Sequence, residues 1–279
     1  MQATTLYAGD AFSVYAYRCT AGPADKPFVE VHRAHSLSYV RRGSFGCRTL
    51  GGEHELVAGA VMVGQPGQEY TATHEHHACG DECLSIKMSA QLADTFGKTV
   101  WDLARVPPLA GLMVAGELVQ AAAEGRSDVG VDEAALMFAE RCATVASPGK
   151  TIPSEPRKID KRRAVEAALW LEENAAEPVG LEDVARQAAL SSFHFLRNFK
   201  SVLGVTPHQY LVRLRLRHAA SLLAQGGMSV TEVALEAGFA DLSNFVRTFG
   251  RAAGVSPARF SKYAGKRAST VDSCLTTSD

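Results

Sequence analysis

No stretch of the 279 residues approaches the roughly 18 consecutive apolar residues that a membrane helix requires, so no membrane partner is expected. Met1–Asp10 holds an acid and no basic residue, and therefore does not read as a signal peptide. Six cysteines in 279 residues are too few for a disulfide scaffold, which makes a reducing cytoplasm the expected compartment. No Ser/His/Asp arrangement and no phosphate-cradling glycine loop is recognisable, and no enzyme is expected. What remains is an ordinary soluble balance, 46% hydrophobic and 21% charged, which excludes wholesale disorder. The length suits two domains better than one.

The net charge of −1 conceals an asymmetry. Residues 157–267 carry 17 Lys and Arg against 10 Asp and Glu, a balance of +7, whereas residues 1–156 carry 12 against 18. Such a split suggests two tasks, with the basic half facing a polyanion.

The expected fold class is α+β in two domains. Up to about residue 88 the pattern is β: Val29 and Val31, then Leu37 and Tyr39, alternate with polar residues, and Gly51-Gly52 is a hairpin signal. Helices are then expected at 89–96, 107–124 and 131–146. Three prolines within Ser147–Pro156 mark a linker, placed at 148–158. Beyond it the spacing predicts helices at 160–176, 181–188, 192–203, 207–225, 229–237, 241–253 and 257–264. Thr206-Pro207 and Ser256-Pro257 each put a cap before a first-turn proline, and Ser229 with Glu232 forms a capping box. The tail 265–279 reads as disordered.

Two segments share one layout. Val184-Ala185 corresponds to Val233-Ala234, Phe195 and Phe199 to Phe245 and Phe249, and Arg197 to Arg247. Each pairs a short helix with a second helix across a tight turn, the layout of a helix-turn-helix unit. Phenylalanines four apart pack inward, leaving His194, Arg197, Ser243, Asn244 and Arg247 on other faces. Arg can read guanine and Asn adenine through paired hydrogen bonds. The connecting segment carries Arg213, Arg215 and Arg217, and a 19-residue helix spans about 28 Å, close to the separation of successive major grooves.

Residues 160–264 resemble the DNA-binding domain of the AraC/XylS family of bacterial transcription regulators. Arg217-His-Ala-Ala-Ser-Leu-Leu, Val230 to Phe239, Asp241 to Phe249 and Gly254-Val-Ser-Pro-Ala-Arg-Phe carry the resemblance, and Gly204-Val-Thr-Pro-His-Gln-Tyr repeats the last element. The resemblance implies an all-α double helix-turn-helix over 159–264 that contacts double-stranded DNA. Its candidate contact residues are Phe193, His194, Leu196, Arg197, Lys200 and Arg215, then Leu242, Ser243, Asn244 and Arg247. It also implies a homodimer and, in an activator, contact with RNA polymerase. Residues 25–88 are similar to the family's cupin-like β-barrel, so 1–147 is expected to sense a ligand or to dimerise, with the helices of 107–147 as the pairing region.

The N-terminal half concentrates metal-ligating side chains. His74, His76, His77, Cys79 and Cys83 lie within ten residues, and imidazole with thiolate suits a transition metal. The Cys-x3-Cys spacing matches no strong zinc motif. A metal, a thiol switch between Cys79 and Cys83, a polar loop without a sensory role, and a small organic effector in the barrel all stay open. The alternative to a regulator is a metal-dependent cupin enzyme with an accessory helical domain.

Overall fold

The computed structural model describes residues 1–77, 80–127, 129–145 and 157–264, apart from the side chain of Phe193. Cys79, the tail 265–279 and nearly all of the expected linker lie outside the described residues.

The N-terminal half is sheet-rich. β1 (Gln2–Ala8), β2 (Phe12–Cys19), β3 (Phe28–Val31), β4 (His35–Thr49), β5 (Gly52–Val57), β6 (Val61–Gly64), β7 (Glu69–Thr73) and β8 (Asp81–Met88) precede a short helix, α1 (Ala90–Asp94), and the two-residue β9 (Arg105–Val106). One sheet runs β1-β2-β8-β4-β6-β9, all antiparallel. β4 is 15 residues long. It bends at an irregularity after Val40 and continues into a second layer, where it pairs with β5 and β7, and β7 pairs with β3. The Gly51-Gly52 signal falls at the β4–β5 hairpin, where Thr49 faces Gly52.

The expected barrel does not close. Among the described residues β1 and β9 are the ends of the main sheet and do not pair with each other. The reason is that one bent strand supplies the link between the layers, while helices cover the sheet instead of further strands.

α2 (Ala110–Ala123) and α3 (Val131–Val145) follow. α2 starts later than its apolar run suggests, because Pro107-Pro108 holds the preceding residues extended. Every residue from Leu112 to Ala122 is buried. The helix lies against β4, where the Tyr39 hydroxyl donates to the Met113 carbonyl at 3.4 Å, and its apolar surface is used within its own chain.

The C-terminal half is helical: α4 (Lys158–Glu173), α5 (Leu181–Gln187), α6 (Ser192–Leu203), α7 (Pro207–Gln225), α8 (Val230–Glu236), α9 (Leu242–Ala253) and α10 (Pro257–Ala264). α4 stops short of 176 because the Asn174 side chain donates to the Trp170 carbonyl at 2.8 Å and ends the helix. α2 packs along α7, and one apolar core runs from Phe12 in the sheet to Ala264 in the last helix. Lys161 on α4 is buried and pairs with Glu53 on β5 at 2.9 Å.

Candidate nucleic-acid interface

Each unit is a short helix, a turn and a longer helix. In the first, Ala188 caps the end of α5, Ala189 takes the left-handed conformation at φ 51°, and the Leu190 amide donates to the Ala185 carbonyl at 3.1 Å. In the second, Gly238 occupies the same place at φ 85°, and the Phe239 amide donates to the Ala234 carbonyl at 2.9 Å. A Cβ at Gly238 would lie 2.7 Å from the Ala176 carbonyl oxygen, so the turn needs glycine for space as well as for conformation.

The long helix of each unit is capped at its start. Ser191 accepts from the His194 amide at 3.4 Å. Asp241 accepts from the Ser243 amide at 2.9 Å and the Asn244 amide at 3.2 Å. Phe195 and Phe199, and Phe245 and Phe249, are fully buried. This leaves His194, Arg197 and Lys200 exposed on α6, with Leu196 half-buried. On α9, Leu242, Ser243, Asn244 and Arg247 are all exposed. Arg247 donates to the Asn244 side-chain carbonyl at 3.2 Å, which aligns both on one face. Phe193 sits in the first turn of α6 but its side chain lies outside the described residues.

The far end of each long helix is held by an arginine of the N-terminal half. Arg105 donates to the Val202 carbonyl at 2.8 Å, in the last turn of α6. Arg141 donates to the Ala252 and Ala253 carbonyls at 3.0 and 2.8 Å, in the last turn of α9. A cation there meets the negative end of the helix dipole. Neither arginine is marked by its local sequence, because each contact joins residues far apart in the chain.

The basic bridge differs from its expectation. Arg215 does not point outward: its guanidinium donates to the carbonyls of Ala175 and Glu177, both at 2.7 Å, and closes the end of α4. Arg213 donates to the Pro108 carbonyl, and Arg217 to that of Arg41. Arg217 also pairs with Glu172 at 3.0 Å. Burial opposes the Arg217 charge, but Glu172 with Tyr39, Glu117 and Tyr210 together outweigh it, so the guanidinium is held more firmly protonated than usual. These arginines knit α7 to its neighbours, because a long helix buried along α2 has little surface left for solvent.

The expected metal set is also redrawn. His77 pairs with Glu55 at 3.0 Å and with Ser44 at 2.7 Å, its ring edge-on to that of His74 at 6.5 Å. Among the described residues the structure instead groups His74 with Cys19 and Asp81, which the spacing of residues 74–83 did not point to. Cys83 touches Asp81, its Sγ donating at 3.3 Å, and burial pushes its thiol well up. His76 joins neither group. Cys19, His74, Asp81 and Cys83 line a cavity of about 540 Å3 between the two layers of strands.

Residues 184–263 match the helix-turn-helix domain family. Over 88 residues the chain is 44% identical to the HTH-type transcriptional activator RhaS of Escherichia fergusonii, covering 32% of each chain. It is 31% identical over 106 residues to the probable transcriptional regulator LumQ of Photobacterium leiognathi, covering 38% of this chain and 43% of LumQ. The helical C-terminal half is thus similar to AraC-family transcription regulators over its helix-turn-helix segment. Its matched part spans less than half the length of these curated relatives. A crystal structure of the DNA-binding domain of AdpA in complex with a target DNA is also similar, at 33% identity and a TM-score of 0.35, over 36% of this chain and 90% of that one. The relatives matched by the helical half are named transcriptional regulators, which favours a regulator over the cupin-enzyme alternative. No helix among the described residues is long and apolar enough to cross a membrane.

Proposed function

We propose that this chain is a sequence-specific transcription regulator that reads two adjacent major grooves of double-stranded DNA. The observation that carries it is the doubled turn, which buries the phenylalanines of α6 and α9 and leaves their opening turns exposed. His194, Leu196, Arg197 and Lys200 form the first reading face, with Phe193 in the same turn. Leu242, Ser243, Asn244 and Arg247 form the second. Arg197 and Arg247 suit guanine, Asn244 adenine, and Leu242 a thymine methyl group. The capped helix starts offer amide groups to phosphate.

Residues 1–147 serve as the regulatory domain and 159–264 as the DNA-binding domain, joined through 148–158. The regulatory domain takes the cupin-like role of binding a small effector in the cavity between its layers. α2 is spent within the chain, so pairing of two copies falls to other surfaces such as the outer face of α3, where Leu136 is exposed. The setting is the cytoplasm, and RNA polymerase is the further partner if the chain activates.

A gel shift of the full chain against its own promoter region tests the reading. A shift that resists competition by unrelated duplex is expected, and it should weaken steeply as salt rises. Retardation of every duplex alike, or of none at low salt, would remove it.

A further inference from the structure

We propose that Cys19, His74 and Asp81 form a binding site for a zinc-class divalent cation in the wall of the N-terminal cavity. The proposal stands apart from the DNA-binding reading. The three side chains lie on separate segments, and the fold brings them together. Cys19 closes β2 and Asp81 opens β8, and the two are direct cross-strand partners, so both side chains leave the same face of the sheet. Gly80 fixes this edge: at φ 67°, a Cβ there would stand 2.2 Å from the Cys19 carbonyl oxygen. His74 comes from the opposite layer, immediately after β7, with its ring stacked on Phe28 at 5.9 Å.

The distances suit a metal. Cys19 Sγ lies 3.7 Å from His74 Nε2, and Asp81 Oδ2 lies 3.9 Å from the same nitrogen. Zinc bonds of about 2.3 Å to sulfur and about 2.0–2.1 Å to nitrogen or oxygen separate tetrahedral ligand atoms by about 3.4–3.6 Å. Small side-chain rotations close the difference. His74 is 2% exposed, and its Nδ1 has no hydrogen-bond partner among the described residues. The two oxygens of Asp81 are already divided, because Oδ1 accepts from the Cys83 thiol at 3.3 Å while Oδ2 faces the imidazole. Cys83 thus positions the carboxylate.

Thiolate, imidazole and carboxylate together favour zinc over calcium or magnesium, which take oxygen ligands. On binding, the Cys19 proton leaves to solvent and the sulfur coordinates as thiolate. Three protein ligands leave a fourth position, and here it faces the cavity, so a water or a donor atom of a cavity ligand completes the tetrahedron. A cation so placed ties β2 and β8 of one layer to the segment after β7 of the other.

The test uses the full chain, stripped with chelator, desalted, and titrated separately with Zn2+ and Co2+. About one equivalent should be retained per chain, and the cobalt form should show thiolate-to-cobalt charge transfer with a tetrahedral visible spectrum. Cys19→Ser should abolish the charge-transfer band, and Asp81→Asn should weaken zinc binding at least tenfold. His77→Gln should leave both readings unchanged. Circular dichroism accompanies each variant. If Cys19→Ser does not fold, His74→Gln replaces it and should lose the tetrahedral spectrum. No stoichiometric retention by the unaltered chain, or a charge-transfer band that survives in folded Cys19→Ser, would overturn the site.

Discussion

The two helix-turn-helix units make the same bend with different means. The second places glycine at the left-handed position and caps α9 through both oxygens of an aspartate. The first places alanine there and caps α6 with one serine hydroxyl. A non-glycine residue in that conformation costs about 1–2 kcal/mol. The neighbours differ as well. The first unit rests on β5 and on Arg105, whereas the second rests on α2 and Arg141, all of the N-terminal half. The lesson is that a duplicated motif conserves a backbone path, while the side chains that secure it follow from what each copy packs against.

The comparison can be broken at several strengths. The largest effect belongs to the cores. Phe199→Ala and Phe249→Ala should each lower stability by about 3–5 kcal/mol, since both rings are fully buried. Denaturant midpoints that differed widely between them would show that the units are not packed alike. Next come the arginine clamps. Arg105→Ala and Arg141→Ala each remove charge-assisted bonds and should cost about 1.5–3 kcal/mol, with hydrogen exchange rising in the last turn of α6 or α9 respectively. Exchange rising equally in both helices from either variant would mean the clamps act globally.

Reading follows. Arg197→Ala and Arg247→Ala should each weaken specific binding by about 1–3 kcal/mol and relax preference at one base position. Gel shifts on base-substituted sites would check this, and a uniform loss on every sequence would reassign that arginine to phosphate. Smaller still is the turn. Ala189→Gly should stabilise by about 1 kcal/mol, whereas Gly238→Ala should destabilise by about 1–2 kcal/mol. Thermal unfolding of both variants measures the pair, and equal signs would contradict the conformational account.

The smallest effect is on pH. Bonds from Lys161 and Arg48 hold the Glu53 carboxyl down to about 2, from an ordinary 4.5. Its contribution is therefore complete above pH 4.5 and lost as the pH falls toward 2. This pair ties β5 to α4 beside the first unit, so amide exchange in α4 should quicken in that range before exchange in α9 does.

The C-terminal helices were readable because their signals are local. Thr206-Pro207, Ser229 with Glu232, and phenylalanines four apart each act within one turn, and the observed ends fall close to the expected ones. Arg215 misled because its spacing marks an arginine on a helix face but not the carbonyls waiting opposite. The open sheet was hidden for a related reason: the bend of β4 joins two layers through pairings that no short window contains. Cys19 was not joined to the metal set because its nearness to Asp81 is a matter of strand register between distant segments rather than of spacing.

β9 is only two residues long, yet it occupies a junction. Its Arg105 is the cross-strand partner of Met62, and Met62 lines the N-terminal cavity. The same Arg105 grips the Val202 carbonyl at the close of α6. The cavity wall and the close of α6 are thus separated by a single ladder rung and one guanidinium, so the two halves of the chain meet through a span of only two side chains.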